Sequence, residues 1–290
     1  MSEGENYLDV VVDKEWLVEN LENEEIRIVD CRFDLGQPNL GRELYEDSHI
    51  PGAFYFDLKE QLSGPVSKHG GRHPLPELRE LKKDIEQVGI DHTKTVIAYD
   101  NGSGQYASRF WWLLSYMGHD KVYILNGGFN DWQAEDYPVT KEIPKSAPAE
   151  YEINIQEEML ATFEEVKEIA DKNKSDAVLI DSRAHDRYLG KVEPMDKIAG
   201  HIPGAINKVW EESLVEGSFK EGKEQKERFS EIDPEEPVVV YCGSGVTATP
   251  NYIALKMAGF KNVKLYAGGY SDWISYDDNE VETGDITKDK

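Results

Sequence analysis

Three short motifs occur twice in this sequence, in the same order in each half. The first copies are Ile-Val-Asp-Cys-Arg at 28–32, His-Ile-Pro-Gly-Ala at 49–53 and Gly-Gly-Phe-Asn-Asp-Trp at 127–132. The second copies are Leu-Ile-Asp-Ser-Arg at 179–183, His-Ile-Pro-Gly-Ala at 201–205 and Gly-Gly-Tyr-Ser-Asp-Trp at 268–273. The offset is 151 to 152 residues for the first two motifs and 141 for the third. This period predicts a duplicated domain, because solenoid repeats recur every 20–50 residues or so.

The size and composition fit two globular domains in a reducing compartment. A chain of 290 residues, 39% of them hydrophobic, can build two cores of ordinary size. Its two cysteines, Cys31 and Cys242, cannot form a disulfide framework, so we expect a cytoplasmic location. The acidic N-terminal residues do not resemble a signal peptide, and no apolar run approaches the ~20 residues of a membrane span.

The charge balance limits the partners. The chain has 32 Lys and Arg residues against 57 Asp and Glu residues, which gives a formal net charge of −25. Such a surface repels polyphosphates, so we expect no nucleic-acid partner. A small anionic ligand remains compatible with this charge, provided that its site carries a local positive potential.

Short apolar runs alternate with helical patterns along both halves. Buried strands are predicted at 96–99, 122–125, 178–180 and 238–241, and helices at 106–117, 163–173 and 249–258. This alternation predicts an α/β fold in which each domain has a mainly parallel sheet, with helices on both faces. We place the first domain at 1–140, a linker at 141–156 and the second domain at 157–290.

Cys242 stands directly after the predicted strand at 238–241. In parallel α/β sheets, ligands bind beyond the carboxyl ends of the strands, where loops lead into helices. The loop that follows the cysteine consists of Gly243, Ser244, Gly245, Val246 and Thr247. We expect its glycines to permit a curl in which successive N–H groups point at the sulfur and, with the following helix, stabilise an anion. Cys242 is therefore predicted to be a thiolate nucleophile at neutral pH.

The repeat supplies an internal control. The residue 142 positions before Cys242 is Asp100, and a carboxylate cannot accept and pass on a sulfur atom as a thiolate can. We therefore expect the second domain to be catalytic and the first to form a wall of the site. Cys31 leads into Arg32 without a glycine loop and has Ser182 as its repeat partner, so we interpret it as structural.

These residues resemble a known family. Two His-Ile-Pro-Gly-Ala modules, with Cys-Gly-Ser-Gly-Val-Thr-Ala at 242–248 in the second copy only, are similar to the tandem-domain rhodanese sulfurtransferases. The resemblance implies that Cys242 takes a sulfur atom from a small anionic donor, becomes a persulfide and passes the sulfur on. The implied acceptor is cyanide, a small thiol, or a protein such as a sulfur carrier or a thioredoxin-like protein. The family requires neither a metal nor an organic cofactor.

The residues of the loop also indicate which sulfur donor is preferred. In the thiosulfate-preferring branch of the family, the two residues after the cysteine are usually cationic, whereas Gly243 and Ser244 are similar to the 3-mercaptopyruvate branch. In that branch the serine joins a histidine and an aspartate in a triad. His73 matches the histidine by its place before Leu-Pro, but the position of the aspartate holds Lys59. We predict a catalytic Ser244, a donor-binding His73, and 3-mercaptopyruvate as donor, with thiosulfate as the alternative.

Arg187 matches an arginine that both branches use to hold the donor. Its guanidinium offers a carboxylate or sulfonate the paired hydrogen bonds that a lysine cannot make. A second arginine of the 3-mercaptopyruvate branch falls near Met195 and is missing here. An Asp-x-Arg pair occurs in both halves, so we expect structural ion pairs at Asp30 with Arg32 and at Asp181 with Arg183.

Two other functions stay open at this stage. Cysteine phosphatases and arsenate reductases share the strand–loop–helix arrangement, but they need an arginine six residues after the cysteine, where this chain has Ala248. A non-catalytic rhodanese-like binding module would need no reactive cysteine. The complete glycine loop around Cys242 favours the sulfurtransferase.

Overall fold

The first half folds around a five-stranded parallel sheet. The computed structural model describes residues 10–171 and 177–285. The elements of the first half are β1 (Val11–Val12), α1 (Lys14–Glu19), β2 (Ile26–Asp30), α2 (Leu40–Asp47), β3 (Ala53–Tyr55), α3 (Leu78–Gln87), β4 (Thr95–Tyr99), α4 (Gln105–Tyr116), β5 (Val122–Leu125) and α5 (Gly128–Ala134). The strand order is β1-β5-β4-β2-β3, and every neighbouring pair is parallel.

The second half repeats this plan with four parallel strands. Its elements are α6 (Phe163–Ala170), β6 (Val178–Asp181), α7 (His185–Tyr188), β7 (Ile206–Asn207), β8 (Leu214–Val215), β9 (Ser218–Phe219), α8 (Gly222–Arg228), β10 (Val238–Tyr241), α9 (Thr249–Met257), β11 (Val263–Leu265) and α10 (Gly269–Trp273), with 3₁₀ turns at Glu157–Met159 and Trp210–Ser213. The strand order is β11-β10-β6-β7, and β8 and β9 form a separate antiparallel hairpin.

Both faces of each sheet are covered, as the uninterrupted β-branched strands predict. On β10, Val238 and Val240 pack into a core that also contains residues of α4 and α9. The alternate residues, Val239 and Tyr241, pack on the opposite face with residues of α6 and α10. The structure thus confirms the predicted α/β fold, with helices on both faces of a parallel sheet.

A continuous core joins the two halves through α4 and α9. Trp111 and Trp112 of α4 lie with their ring centroids 6.3 and 6.5 Å from that of Tyr252 on α9. All three side chains are buried. Because one hydrophobic core contains both helices, the first half is fixed against the second, and its loops can contribute to a site there.

The predicted elements agree with the structure to within a few residues. The helix predicted at 106–117 is α4, which begins and ends one residue earlier. The helix predicted at 249–258 is α9, which ends one residue earlier. The third predicted helix begins at Phe163 but ends at Ala170, and its predicted end at Asn173 lies outside the described residues. Within residues 10–171 and 177–285, no helix has both the length and the hydropathy to cross a bilayer.

Residues 141–156 run along the surface of the first half. The ring of Tyr151 is buried and stacks on His92, with the centroids 4.3 Å apart. The Tyr151 N–H donates to the Glu86 carboxylate at 2.8 Å, and the Asn154 N–H donates to the carbonyl oxygen of Met117 at 3.0 Å. This segment is therefore held in place, and the division of the chain at 140 and 156 stays a prediction.

The shared motifs build matching scaffolds. Arg32 and Arg183 each bind the aspartate two residues earlier through Nε and Nη2, and all four side chains are buried. Gly52 and Gly204, in the two His-Ile-Pro-Gly-Ala motifs, have φ angles of +81° and +79°, which favour glycine. The predicted ion pairs of Asp30 with Arg32 and of Asp181 with Arg183 are therefore confirmed.

Candidate active site

The loop that follows β10 is fixed by the beginning of α10. The carbonyl oxygen of Cys242 accepts the N–H of Tyr270 at 2.7 Å, and that of Gly243 accepts the N–H of Ser271 at 3.0 Å. Gly245 has a φ of +74°, and a Cβ at this position would lie 2.1 Å from the carbonyl oxygen of Ala267. A side chain at Gly245 is therefore excluded both by backbone conformation and by space.

Gly243 is important for a different reason from the one that the sequence indicated. We expected both loop glycines to adopt angles that other residues avoid, but the φ of Gly243 lies outside the left-handed region. A Cβ on Gly243 would lie 2.6 Å from Nη2 of Arg72 and 3.6 Å from Nη2 of Arg187. The absence of a side chain thus lets two guanidinium groups approach the residue next to Cys242.

The equivalent loop of the first half encloses a carboxylate. Asp100 is buried, and its two oxygens accept N–H groups from Gly102, Gly104, Tyr106 and Ala107 at 2.9 to 3.3 Å. Burial raises the pKa of Asp100, and the four amides act in the opposite direction. The loop geometry of this fold is therefore suited to an enclosed anion.

Among the described residues, three of the four matching amides of the second half have no oxygen acceptor, and the fourth, that of Thr249, donates to the carbonyl oxygen of Val246 at 3.1 Å. With the offset of 142 residues, Gly102, Gly104 and Tyr106 correspond to Ser244, Val246 and Ala248. Within residues 10–171 and 177–285, none of the three N–H groups at 244, 246 and 248 donates to an oxygen atom. Cys242 occupies the position of Asp100, and its side chain is 1% exposed.

A cavity of about 240 Å³ lies over this loop and is lined by both halves. The second half contributes Arg183, Ala184, Arg187, Met195, Trp210, Glu211, Gly243, Ser244, Val246 and Thr247. The first half contributes Leu35, Arg72, His73, Gln105 and Tyr106. The prediction that the first half forms a wall of the site is therefore confirmed.

A segment of the first half that has no counterpart in the second reaches the site. The N–H of Gly70 donates to the Asp272 carboxylate at 2.6 Å, and the N–H of Arg72 donates to the hydroxyl of Ser271 at 3.1 Å. The ring of His69 stacks on Tyr276 with the centroids 4.0 Å apart. These contacts attach the segment to α10 and its flank, and they place its next residues against the Cys242 loop.

His73 and Ser244 come together as predicted. A hydrogen bond of 2.8 Å joins His73 Nδ1 and Ser244 Oγ, across the boundary between the halves. Burial, together with the charges of Arg109, Arg72 and Lys59, lowers the pKa of His73 to about 4. The imidazole is therefore neutral at physiological pH, and the charge of Lys59 acts on it where the family pattern has an aspartate.

Two arginines flank Gly243. Arg187 lies there as predicted, whereas Arg72, which comes from the first half, was not predicted as a site residue. Burial lowers the pKa of Arg72, and a negative charge on Cys242 acts in the opposite direction. Arg72 is therefore close enough to Cys242 for the charges of the two groups to interact. The position near Met195, where the family has a second arginine, supplies an apolar side chain to the cavity.

A third arginine lies under the loop. Arg109 of α4 is fully buried and donates to the carbonyl oxygens of Gly245, Leu62 and His73 at 3.1 to 3.3 Å. Burial lowers its pKa to about 10, and a negative charge on Cys242 opposes this shift. Arg109 ties the loop to the first half and adds positive potential from below.

Two buried carboxylates cover the arginines. Glu193 accepts from Arg183 at 3.2 Å and from Arg187 at 2.7 Å, and Asp196 accepts from Arg187 at 3.0 Å and from Arg72. The side chains of Glu193 and Asp196 are only 4% and 3% exposed. These four contacts form one network with the arginines that line the cavity, and neither carboxylate was predicted as a site residue.

Cys31 differs from Cys242 in its surroundings. It is buried after β2, and burial together with the charges of Asp30 and Asp100 raises the pKa of its thiol well above the ordinary value. A protonated, enclosed thiol fits the structural interpretation.

The residues that the sequence missed have weak or absent signals. Arg72 precedes His73 within a segment that only the first half contains, so its position beside a candidate residue was the available signal. Arg109 lies in an apolar helix, where a lone arginine indicates a buried polar contact. Glu193 and Asp196 lie in an irregular stretch of a chain rich in acids, and nothing in the sequence distinguishes them.

The chain matches known proteins over nearly its whole length. Residues 13–135 and 162–276 each match the family of the Rhodanese-like domain. A probable 3-mercaptopyruvate sulfurtransferase from Pseudomonas aeruginosa is 38% identical over 275 residues, which cover 93% of this chain and 96% of the relative. A thiosulfate sulfurtransferase from Rattus norvegicus is 30% identical, with 91% of each chain covered.

A solved structure gives the same result. The crystal structure of SseA from Escherichia coli, a 3-mercaptopyruvate sulfotransferase with the rhodanese fold, superposes with a TM-score of 0.81 at 34% identity. The match covers 91% of this chain and 100% of the other. Two matched domains, a shared fold and full-length relatives agree with the geometry described above: the chain belongs to the rhodanese family, as a tandem-domain sulfurtransferase.

Proposed function

We propose that Cys242 takes a sulfur atom from 3-mercaptopyruvate and passes it, as a persulfide, to a thiol or cyanide. The observation that carries this proposal is the set of amides in the loop that follows the cysteine. The N–H groups at 244, 246 and 248 match those that hold the Asp100 carboxylate, and they donate to no oxygen in residues 10–171 and 177–285. An anionic sulfur is the acceptor that satisfies them.

The sulfur transfer balances without a cofactor. The Cys242 thiolate attacks the sulfur of 3-mercaptopyruvate, and the bond between that sulfur and C3 of the donor breaks. The electron pair goes to C3 as an enolate, which takes up the proton of the donor thiol and becomes pyruvate. A thiolate or cyanide then attacks the outer sulfur of the persulfide, and the electron pair of the S–S bond returns to Cys242.

Ser244 and His73 are placed to assist the first step. As the C–S bond breaks, negative charge develops on the carbonyl oxygen of the donor, and a hydroxyl donor at that oxygen lowers the barrier. Ser244 lines the cavity beside the cysteine, and its bond to the neutral His73 fixes the hydroxyl. In this proposal Ser244 stabilises the enolate and His73 orients Ser244.

Arg187 and Arg72 are proposed to hold the carboxylate of the donor. Both guanidinium groups approach Gly243, the residue next to the nucleophile. Two charge-assisted hydrogen bonds to a carboxylate fix both the position and the orientation of a small donor. In this proposal the donor enters the cavity that Gly243 and Ser244, the two residues after Cys242, help to line.

Thiosulfate is the second candidate donor, because the same arginines can hold its sulfonate oxygens and a relative is a thiosulfate sulfurtransferase. The uncharged Gly243 and Ser244 favour 3-mercaptopyruvate over this dianion. A phosphatase would need an arginine at position 248, where this chain has an alanine. A sulfur-carrier or thioredoxin-like acceptor, the cytoplasmic location, and a catalytic domain at 157–290 remain parts of the proposal.

The test is a comparison of donors. Steady-state rates with 3-mercaptopyruvate and with thiosulfate, each with cyanide as acceptor, should give a higher kcat/KM for 3-mercaptopyruvate, with stoichiometric pyruvate. A higher kcat/KM for thiosulfate would refute the donor assignment. Absence of turnover with both donors, in a protein with native circular dichroism, would refute the proposed function.

A further inference from the structure

The carboxylates of Glu193 and Asp196 have different hydrogen-bond partners. Besides its arginines, Glu193 accepts the backbone N–H groups of Met195 and Asp196, both at 3.0 Å. It therefore belongs to the framework of its own loop. Within residues 10–171 and 177–285, the Asp196 carboxylate pairs only with Arg72 and Arg187, and it uses one oxygen for each.

Asp196 thus bridges the two guanidinium groups that flank Gly243. A carboxylate that bridges two guanidinium groups is also the arrangement expected for the carboxylate of a bound donor. The side chain of Asp196 is 3% exposed, and it is enclosed in the position it occupies. A donor that binds both arginines must therefore displace Asp196 or bind beside its negative charge.

The charges of the network cancel. Three guanidinium groups, on Arg72, Arg183 and Arg187, face three carboxylates, on Asp181, Glu193 and Asp196. Each charge that a donor brings is therefore added to a neutral cluster. Repulsion from Asp196 grows with the charge of the donor, so it opposes a dianion about twice as strongly as a monoanion.

We propose that Asp196 is a specificity-determining residue, an internal carboxylate that competes with the donor for Arg72 and Arg187 and selects monoanionic donors over dianionic ones. The proposal rests on the proposed function of the same cavity. It assigns to the loop around 193–196 the discrimination between 3-mercaptopyruvate, with one charge, and thiosulfate, with two.

The variant Asp196→Asn keeps the shape of the side chain and removes its charge. We expect kcat/KM for thiosulfate to rise about tenfold, mainly through a lower KM, and that for 3-mercaptopyruvate to rise about threefold or less. The matched control is Asp186→Asn, which removes one charge from an exposed pair with Lys191 at 3.6 Å. This control should leave the ratio of the two donors unchanged.

The opposite results would overturn the proposal. If Asp196→Asn weakens both donors equally, Asp196 positions the arginines and does not compete with the donor. If the ratio stays constant, or if Asp186→Asn changes it equally, the discrimination does not come from Asp196. Asp196→Ser serves the same comparison if Asp196→Asn does not fold.

A binding measurement tests the role of Asp196 independently of the sulfur-transfer reaction. Calorimetric titration of Cys242→Ser, with and without Asp196→Asn, with sulfate and with pyruvate compares a dianion and a monoanion without turnover. We expect Asp196→Asn to tighten sulfate about tenfold and pyruvate by less. Equal changes would refute the role of Asp196, whereas loss of turnover in the parent protein would bear on the proposed function alone.

Discussion

The two strand–loop–helix sites of this molecule share a loop arrangement and differ in the side chain that follows the strand, which is Asp100 in the first half and Cys242 in the second. In the first half, Asp100 accepts four amide N–H groups, and burial and these amides dominate its surroundings. In the second half, Cys242 stands at the same position, and Arg72 and Arg109 lie close to its loop. The two loops are therefore alike, whereas, of the two, these arginines contact only the loop of the second half among the residues that the structure describes.

The comparison also shows where the arginines come from. Arg72 and Arg109 belong to the first half, as does His73, yet all three act at the loop of the second half. The half that has Asp100 in place of the cysteine therefore lines the cavity at the loop of the other half. Duplication alone would give two equal sites, and here the additional segment around 64–76 makes them unequal.

The largest difference is expected between the two cysteines. Cys242→Ser should lower kcat/KM with 3-mercaptopyruvate by at least about 1000-fold, because a serine hydroxyl at this pH is not an effective sulfur nucleophile. Cys31→Ser should leave the rate within about twofold of the parent. Comparable losses in both variants, at unchanged melting temperature, would contradict the assignment of the nucleophile.

A smaller loss is expected at the arginines. Arg72→Gln and Arg187→Gln should each lower kcat/KM for 3-mercaptopyruvate by about 10- to 100-fold, mainly through KM, because each removes a charge-assisted hydrogen bond. The control is Arg42→Gln, since Arg42 forms an exposed pair with Glu60 at 2.7 Å. If Arg187→Gln alone reduces the rate, the first half does not contribute to donor binding.

A still smaller effect is expected at Ser244, and it should depend on the donor. Ser244→Ala should lower kcat with 3-mercaptopyruvate about tenfold and leave that with thiosulfate nearly unchanged, because thiosulfate has no carbonyl oxygen. Equal effects on the two donors would show that Ser244 supports the loop and does not stabilise an enolate.

The lowered pKa of His73 predicts that the stability of the folded protein depends on pH. Since the pKa is lowered from 6.5 to about 4 in the folded protein, the unfolded chain binds the proton more tightly. The contribution of His73 to stability is therefore complete above about pH 6.5 and is lost as the pH falls towards 4. Urea unfolding of the parent and His73→Gln should differ in pH dependence across this window, and identical profiles would contradict a neutral, buried His73.

The smallest effect on activity is expected at Asp100. Asp100→Asn replaces one acceptor oxygen by a donor that faces N–H groups, so the free energy of unfolding should fall by about 1–3 kcal/mol. Below the unfolding transition, kcat should stay within about twofold of the parent. A large loss of kcat in a folded variant would show that the first loop does more than maintain structure.

Much of this arrangement is readable from the sequence, because it depends on local patterns. The repeat predicts two α/β domains, and the position of Cys242 after a buried strand predicts the glycine loop and its helix. His73 and Ser244 were predicted together from family resemblance, and the structure places them 2.8 Å apart. The strand and helix patterns are local, so they can be recognised without knowledge of tertiary contacts.

The remainder depends on contacts between distant segments. Arg72 reaches the loop only because its segment packs on α10, and Asp196 is 124 residues from Arg72 along the chain. The sequence predicted a special backbone angle at Gly243, and this was wrong. Its small size leaves room for Arg72, and that contact between distant segments cannot be predicted from the local sequence. Such contacts decide the charge of the site, and the net charge of −25 gave no indication of them.

The most direct measurement is the mass of the intact protein after brief exposure to 3-mercaptopyruvate without acceptor, followed by peptide mapping. We expect one added sulfur atom, located on Cys242 and removed by cyanide, with Cys31 unmodified. Sulfur on Cys31, or an unchanged mass while pyruvate forms, would contradict the account that the enclosed thiolate of the second half carries the sulfur.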